Sequence, residues 1–90
     1  MRIAICDDKV ILHDDLKVYL EEYSIKKNIV IIYDDYTNGA DLIASSIEYD
    51  IIFMDHMMPE MDGIETLNVL RKEQLISDDT KVVALTANAI

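Results

Sequence analysis

Ninety residues, about half of them apolar, can build one hydrophobic core and not two, which excludes a multidomain reading. Eighteen acidic against eight basic side chains give a formal charge of −10, which repels a phosphate backbone and argues against direct nucleic-acid binding by this segment. No apolar run approaches the roughly 18 residues of a membrane span and no charged-then-apolar leader opens the chain, so a cytoplasmic protein without membrane contact is expected.

Short apolar runs rich in β-branched residues alternate with longer stretches of helical spacing, the signal of β-α-β units. The first run is Ile3 to Cys6, where a single cysteine reads as a small buried hydrophobe. Leu12, Leu16, Tyr19, Leu20 and Tyr23 then fall three and four apart, with Asp14, Asp15, Glu21 and Glu22 on other faces, and predict an amphipathic helix. A second strand is predicted over Ile29 to Tyr33. A shorter helix follows Asn38-Gly39 and carries Leu42, Ile43 and Ile47. The third strand is Ile51 to Met54. A third helix follows Asp62-Gly63 and carries Ile64, Leu67 and Leu70; Asp62 with Glu65 three residues later fits a helix-start cap, with a carboxylate near the positive end of the helix dipole. Ser77 to Thr80 reads as the loop into a fourth strand, Val82 to Thr86.

Each of the four runs is apolar at successive positions, the mark of strands buried on both faces of a parallel sheet. Right-handed crossovers place helices on both faces of such a doubly wound α/β sheet. No repeat, low-complexity stretch or linker divides residues 1–90, so they read as one domain. A fourth strand with no helix after it leaves a sheet edge and part of a face uncovered, and a homodimer through that fourth-strand region is expected.

In an open parallel sheet, ligands sit at the carboxyl ends of the strands. Asp7 and Asp8 directly follow the first strand and Asp55 the third, so neighbouring strands would bring three carboxylates into one pocket. Ionising each costs more beside the others' charge, so the cluster calls for a cation. Its hard oxygen donors favour Mg²⁺, Mn²⁺ or Ca²⁺ over zinc, and a site with few protein oxygens suits Mg²⁺ best. A carboxylate in such a site can attack phosphorus, and Asp55, alone at its strand end, is the candidate nucleophile. His13, His56 and Cys6 match no zinc spacing. An EF-hand over Asp55 to Gly63 fails because Met57 and Pro59 stand where oxygen ligands are needed.

With these residues in place, the chain resembles a CheY-like response-regulator receiver domain. Arg2-Ile-Ala-Ile-Cys-Asp7-Asp8 is similar to that family's first strand and acidic pair, Ile51-Ile-Phe-Met-Asp55-His-Met-Met-Pro59-Glu-Met-Asp62-Gly63 to its phosphorylation strand and loop, and Val82-Val-Ala-Leu-Thr86-Ala87 to its fourth strand. The resemblance implies a flavodoxin-like fold with strand order 2-1-3-4, lacking the family's fourth helix, fifth strand and fifth helix, whose invariant lysine would lie beyond Ile90. Lys81, at the opposite end of the sheet, cannot replace that lysine, and Lys9 is a weak substitute.

The same resemblance implies that Asp55 is the phosphoacceptor and that Asp8 holds Mg²⁺ directly, with Asp7 acting partly through water and the Met57 backbone carbonyl as a further ligand; Mn²⁺ is the alternative ion. Thr86 resembles the switch hydroxyl, Ala87 the small residue admitting the phosphoryl group, and His56, Met57 and Asn88 its pocket rim. The implied partner is a sensor histidine kinase or a histidine phosphotransfer domain, and the implied role is a signalling module in a phosphorelay that assists only its own phosphorylation and dephosphorylation. Two other classes compete. A haloacid-dehalogenase-type phosphatase would need an acid two residues after the nucleophile, where Met57 stands. A pseudo-receiver would oligomerise through its uncovered face without phosphotransfer.

Overall fold

A computed structural model describes residues 1–8, 10–55 and 62–85. Their order is β1 (Arg2–Cys6), α1 (Val10–Lys27), β2 (Ile32–Tyr36), α2 (Gly39–Ala44), β3 (Ile51–Asp55), α3 (Gly63–Lys72) and β4 (Lys81–Leu85). The four strands form one parallel sheet, as the alternation of segments implies, in the order β2-β1-β3-β4 that the resemblance implies.

The two faces of β1 divide the core. Ala4 and Cys6 point to one side, where they are buried with Leu42 of α2, Tyr49, Ile52 and Met54 of β3 and Leu70 of α3. Ile3 and Ile5, equally buried, point to the other side, and their register partners on β2 are Tyr33 and Asp35, both of which meet α1 through Lys17. The sheet therefore carries α1 on one face and α2 with α3 on the other. Burial of six apolar side chains of Val or Leu size is worth on the order of 10 kcal/mol before the entropy of ordering the chain is subtracted.

Helix ends follow local rules. Asn38 accepts from the Asp41 backbone N–H at 2.8 Å and Asp62 from that of Glu65 at 2.8 Å, so both expected helix starts are true side-chain caps. Asn28, at φ 54°, closes α1 with paired bonds from Ile29 N–H to Ser24 and from Asn28 N–H to Ile25. Gln74, at φ 56°, closes α3 in the same way through Leu70 and Arg71.

Several expectations are corrected. The second strand is not Ile29 to Tyr33 but lies three residues later, over Ile32–Tyr36. Its two aspartates are tolerated because each is partnered: Arg2 Nε donates to Asp34 at 2.9 Å, and Asp35 meets His13 and Lys17. Val30 is exposed instead, and its carbonyl accepts from the Met1 amino group. Burial on both faces holds for β1 but not for β2 or β4, which are the sheet edges; Val83 is 41% exposed.

The inward face of α1 is His13, Leu16, Lys17, Leu20 and Ser24, so Tyr19, 70% exposed, and Tyr23 belong to the outer surface. Ile64 is also exposed, and α3 buries Gly63, Thr66 and Leu70. Ile47 packs against the core from beyond the end of α2. The fourth strand begins at Lys81, one residue earlier than expected, and runs to Leu85, the last described residue; Thr86, its expected end, lies outside the described residues.

Candidate functional site

Parallel register decides what meets at the carboxyl end of the sheet. Cys6 of β1 is level with Met54 of β3, so the next residues, Asp7 and Asp55, stand side by side at the strand ends. Asp7 is 1% exposed and Asp55 5%, whereas Asp8 is exposed at the rim. One carboxylate oxygen from each of Asp7, Asp8 and Asp55 lies within 4.8 Å of the other two.

Hard, anionic oxygens alone make up this donor set, which suits a divalent cation of the Mg²⁺ or Ca²⁺ kind better than zinc or copper, which favour nitrogen and sulfur donors. Among the described residues it is the only group of three or more His, Cys, Asp or Glu side chains so placed. The negative field of the cluster is felt by Cys6: burial first, then the charges of Asp7, Asp55 and Asp41, push its thiol up to about 12. A thiol held so far from ionisation is a packing group, in line with its place in the core, and not a soft metal ligand.

Close packing fixes the strand end that carries Asp55. A side chain at Gly63 would place its Cβ 2.4 Å from the Asp55 carbonyl oxygen and 2.9 Å from Met54 Cγ, so only glycine lets the start of α3 sit directly on β3. At Gly39, a Cβ would fall 1.9 Å from the Thr66 hydroxyl oxygen, so α2 and α3 meet there without room for a methyl group.

One buried side chain behind the site, set aside in the sequence only as a zinc ligand, has a structural place there. His13, 2% exposed, has Nε2 2.6 Å from the Asp7 backbone carbonyl and Nδ1 3.0 Å from Asp35 Oδ1. Both ring nitrogens face oxygens, and the backbone carbonyl, which can only accept, takes its hydrogen bond from Nε2. Burial alone would push the Asp35 carboxyl up, but hydrogen bonds from Lys17 and His13 outweigh it and hold the group below its usual range. A signal for His13 was present in the sequence, since His13, Leu16 and Leu20 share the three-and-four spacing of an inward helix face.

Of the expected site residues, the structure brings Asp7, Asp8 and Asp55 together. His56, Met57, Thr86, Ala87 and Asn88 lie outside the described residues, as do Lys9, Met58, Pro59 and Met61. Lys81 starts β4 beside Ile51, at the other end of the sheet from Asp55, which agrees with its exclusion from the site. No helix among the described residues is long and apolar enough to cross a membrane.

Comparison with known proteins points one way. The family model for the response regulator receiver domain matches residues 3–90. The transcriptional regulatory protein ResD of Bacillus subtilis is 35% identical over 88 residues, which cover 96% of this chain and 32% of ResD. Hybrid signal transduction histidine kinase B of Dictyostelium discoideum is 34% identical over 95 residues, covering 91% of this chain and 5% of the kinase. Among solved structures, the response regulator TrrA from Thermotoga maritima, in complex with Mg²⁺ and BeF, superposes with a TM-score of 0.78 at 29% identity, covering 98% of this chain and 70% of that one. The chain thus spans less than two fifths of the curated relatives it matches here and about two thirds of a solved receiver.

Proposed function

The chain belongs to the response regulator receiver domain family, and from that membership we propose that residues 1–90 act as a receiver that takes a phosphoryl group onto Asp55 in a Mg²⁺-dependent reaction. The observation that carries this reading is the convergence of the Asp7, Asp8 and Asp55 carboxylates within 4.8 Å at the carboxyl end of a parallel sheet.

Asp55 acts as the nucleophile. Its carboxylate oxygen attacks the phosphorus of a phosphohistidine, the P–N bond breaks as the P–O bond forms, and the departing imidazole takes up a proton. Asp7 and Asp8 would hold Mg²⁺ with Asp55, with the Met57 carbonyl as a further ligand. Bound there, the ion supplies charge neutralisation for the phosphoryl oxygens. Thr86 is assigned the switch hydroxyl, and His56, Ala87 and Asn88 the pocket rim.

The donor is a sensor histidine kinase or a histidine phosphotransfer domain, a reading supported by the kinship to a hybrid histidine kinase. That donor and the requirement for Mg²⁺ assign the domain to the cytoplasm. The charge of −10 supports contact with proteins over nucleic acid. Exposure of Val83 on β4 supports a homodimer through that edge.

Intact mass after incubation with Mg²⁺ and acetyl phosphate, run beside Asp55→Asn, tests the chemistry. A gain of one phosphoryl group on the parent alone is expected. No adduct on the parent, or an equal one on the variant, overturns the assignment.

A further inference from the structure

We propose that His13 is a positioning residue for the cation site, holding the backbone turn that carries Asp7 and Asp8 so that their carboxylates face Asp55. This inference rests on the reading of those three residues as cation ligands.

The turn is pinned at two backbone points. The Asp7 N–H donates to the Tyr36 carbonyl at 2.9 Å, which extends the β1–β2 ladder by one residue. The Asp7 carbonyl, one peptide further on, accepts from His13 Nε2 at 2.6 Å. A carbonyl can only accept, so the hydrogen on Nε2 is fixed by the contact. This second bond orients the peptide plane between Asp7 and Asp8. That plane sets ψ of one residue and φ of the next, and with them the direction in which the exposed Asp8 carboxylate leaves the buried Asp7.

A brace stands behind the ring. Nδ1 meets Asp35 Oδ1 at 3.0 Å, and the other oxygen of Asp35 accepts from Lys17, one helical turn along α1 from His13. The ring thereby ties three elements together at the site: the turn after β1, the inward face of α1 and the end of β2. An aliphatic side chain would fill the same interior place on α1 without the cost of burying two polar nitrogens. What the imidazole adds over such a residue is the directed bond to the Asp7 carbonyl. Groups that orient metal ligands commonly change cation affinity by ten- to a hundredfold, and a backbone tether belongs at the lower end of that range.

The test is calorimetric titration of the ninety-residue chain with Mg²⁺, using variants that separate the two nitrogens. His13→Gln places an amide N–H where Nε2 was and keeps the donor to Asp7. His13→Asn reaches only as far as Nδ1 and keeps contact with Asp35 alone. The expected result is a dissociation constant for Mg²⁺ raised by about tenfold in His13→Asn and by less than about threefold in His13→Gln. If both variants bind Mg²⁺ as the parent does, even with lowered melting temperatures, His13 only holds the fold and the proposal is overturned.

Asp35→Ala, a change at the outer end of the brace, serves if His13→Asn does not fold; it should weaken Mg²⁺ binding by about threefold, and unchanged affinity there also overturns the proposal. Asp8→Asn and Asp55→Asn separate the two levels of the argument. A parent that does not bind Mg²⁺, or variants of Asp8 and Asp55 that bind as it does, would overturn the cation reading and this inference with it. Loss in those two variants beside full affinity in His13→Asn overturns the role of His13 alone.

Discussion

Replacing Asp55 by asparagine tests whether the fold holds its carboxylates together against their own repulsion. Two unit charges at 4.8 Å, the widest separation within the cluster, repel by about 3.5 kcal/mol at an effective dielectric of about 20. Asp8 is exposed and its charge is screened by water and salt, so the buried Asp7–Asp55 pair dominates. Asparagine keeps the shape and removes the charge, at the cost of whatever bonds the carboxylate makes nearby. The metal-free variant is therefore expected to be more stable than the parent by about 1–2 kcal/mol, roughly half of the Coulomb figure. For a domain of this size that is a rise of about 5–15 °C in Tm.

Mg²⁺ should reverse the order. At ten times its dissociation constant a bound ion stabilises the parent by about 1.4 kcal/mol, and the variant by little. Thermal unfolding followed by circular dichroism, in EDTA and in graded Mg²⁺, reads both effects. A variant that melts below the parent in EDTA would refute the repulsion argument, because the Asp55 carboxylate would then be a net stabiliser of the metal-free fold. An equal gain from Mg²⁺ in both proteins would remove Asp55 from the cation site.

Gly63→Ala should lower stability by about 1–3 kcal/mol, because its Cβ has no room against the Asp55 carbonyl; an unchanged urea midpoint would mean that α3 slides off β3 at no cost. Tyr49→Phe removes the hydroxyl that donates to Asp34 at 2.9 Å and leaves the Tyr36 hydroxyl to find another partner, an expected loss of about 1–2 kcal/mol in the same assay. Acid stability follows from Asp34, whose carboxyl is held below its ordinary value of 3.8 by the Arg2 hydrogen bond, against the opposing effect of burial and with help from Tyr49. A lowered carboxyl stabilises the fold above its unfolded value and loses that contribution as pH falls through the lowered folded value. Unfolding measured from pH 5 to pH 2 should therefore show a shallower acid limb in Asp34→Asn than in the parent, and parallel limbs would show that the pair contributes nothing.

The sequence made the interior of the fold legible and blurred its edges, for a physical reason. β1 is apolar at Ile3, Ala4, Ile5 and Cys6 because both of its faces are covered, and that run is unambiguous. β2 is an edge strand with Asp34 and Asp35 inside it, and no local pattern reveals that Arg2, 32 residues away, and His13, 22 residues away, will partner them. The run Ile29 to Tyr33 consequently looked more strand-like than the true one. On α1 the inward stripe includes His13 and Lys17, so hydropathy placed the apolar face toward Tyr19 and Tyr23, which are exposed. In each case a polar side chain is held within its element by a partner distant in sequence, and periodicity cannot see partners.

The acidic site escaped this ambiguity because it is a by-product of core register. Ala4 with Ile52 and Cys6 with Met54 are level pairs that bury together on the α2–α3 face. Ile3 with Ile51 and Ile5 with Phe53 alternate with them on the α1 face, and the next pair in that series is Asp7 with Asp55. A slip of β3 by one residue would turn Ile52 and Met54 out of their core and carry Asp55 to the face opposite Asp7. The apolar residues that select this register thereby also force two like charges side by side at the strand ends. Without the core, that juxtaposition would have no reason to form; with it, the repulsion is a fixed property of the folded chain that a divalent cation would relieve. On the proposed cation site, metal binding and the packing of Ile52 and Met54 would for this reason be coupled, and a substitution that loosens those two side chains should weaken Mg²⁺ binding although both lie in the core on the other face.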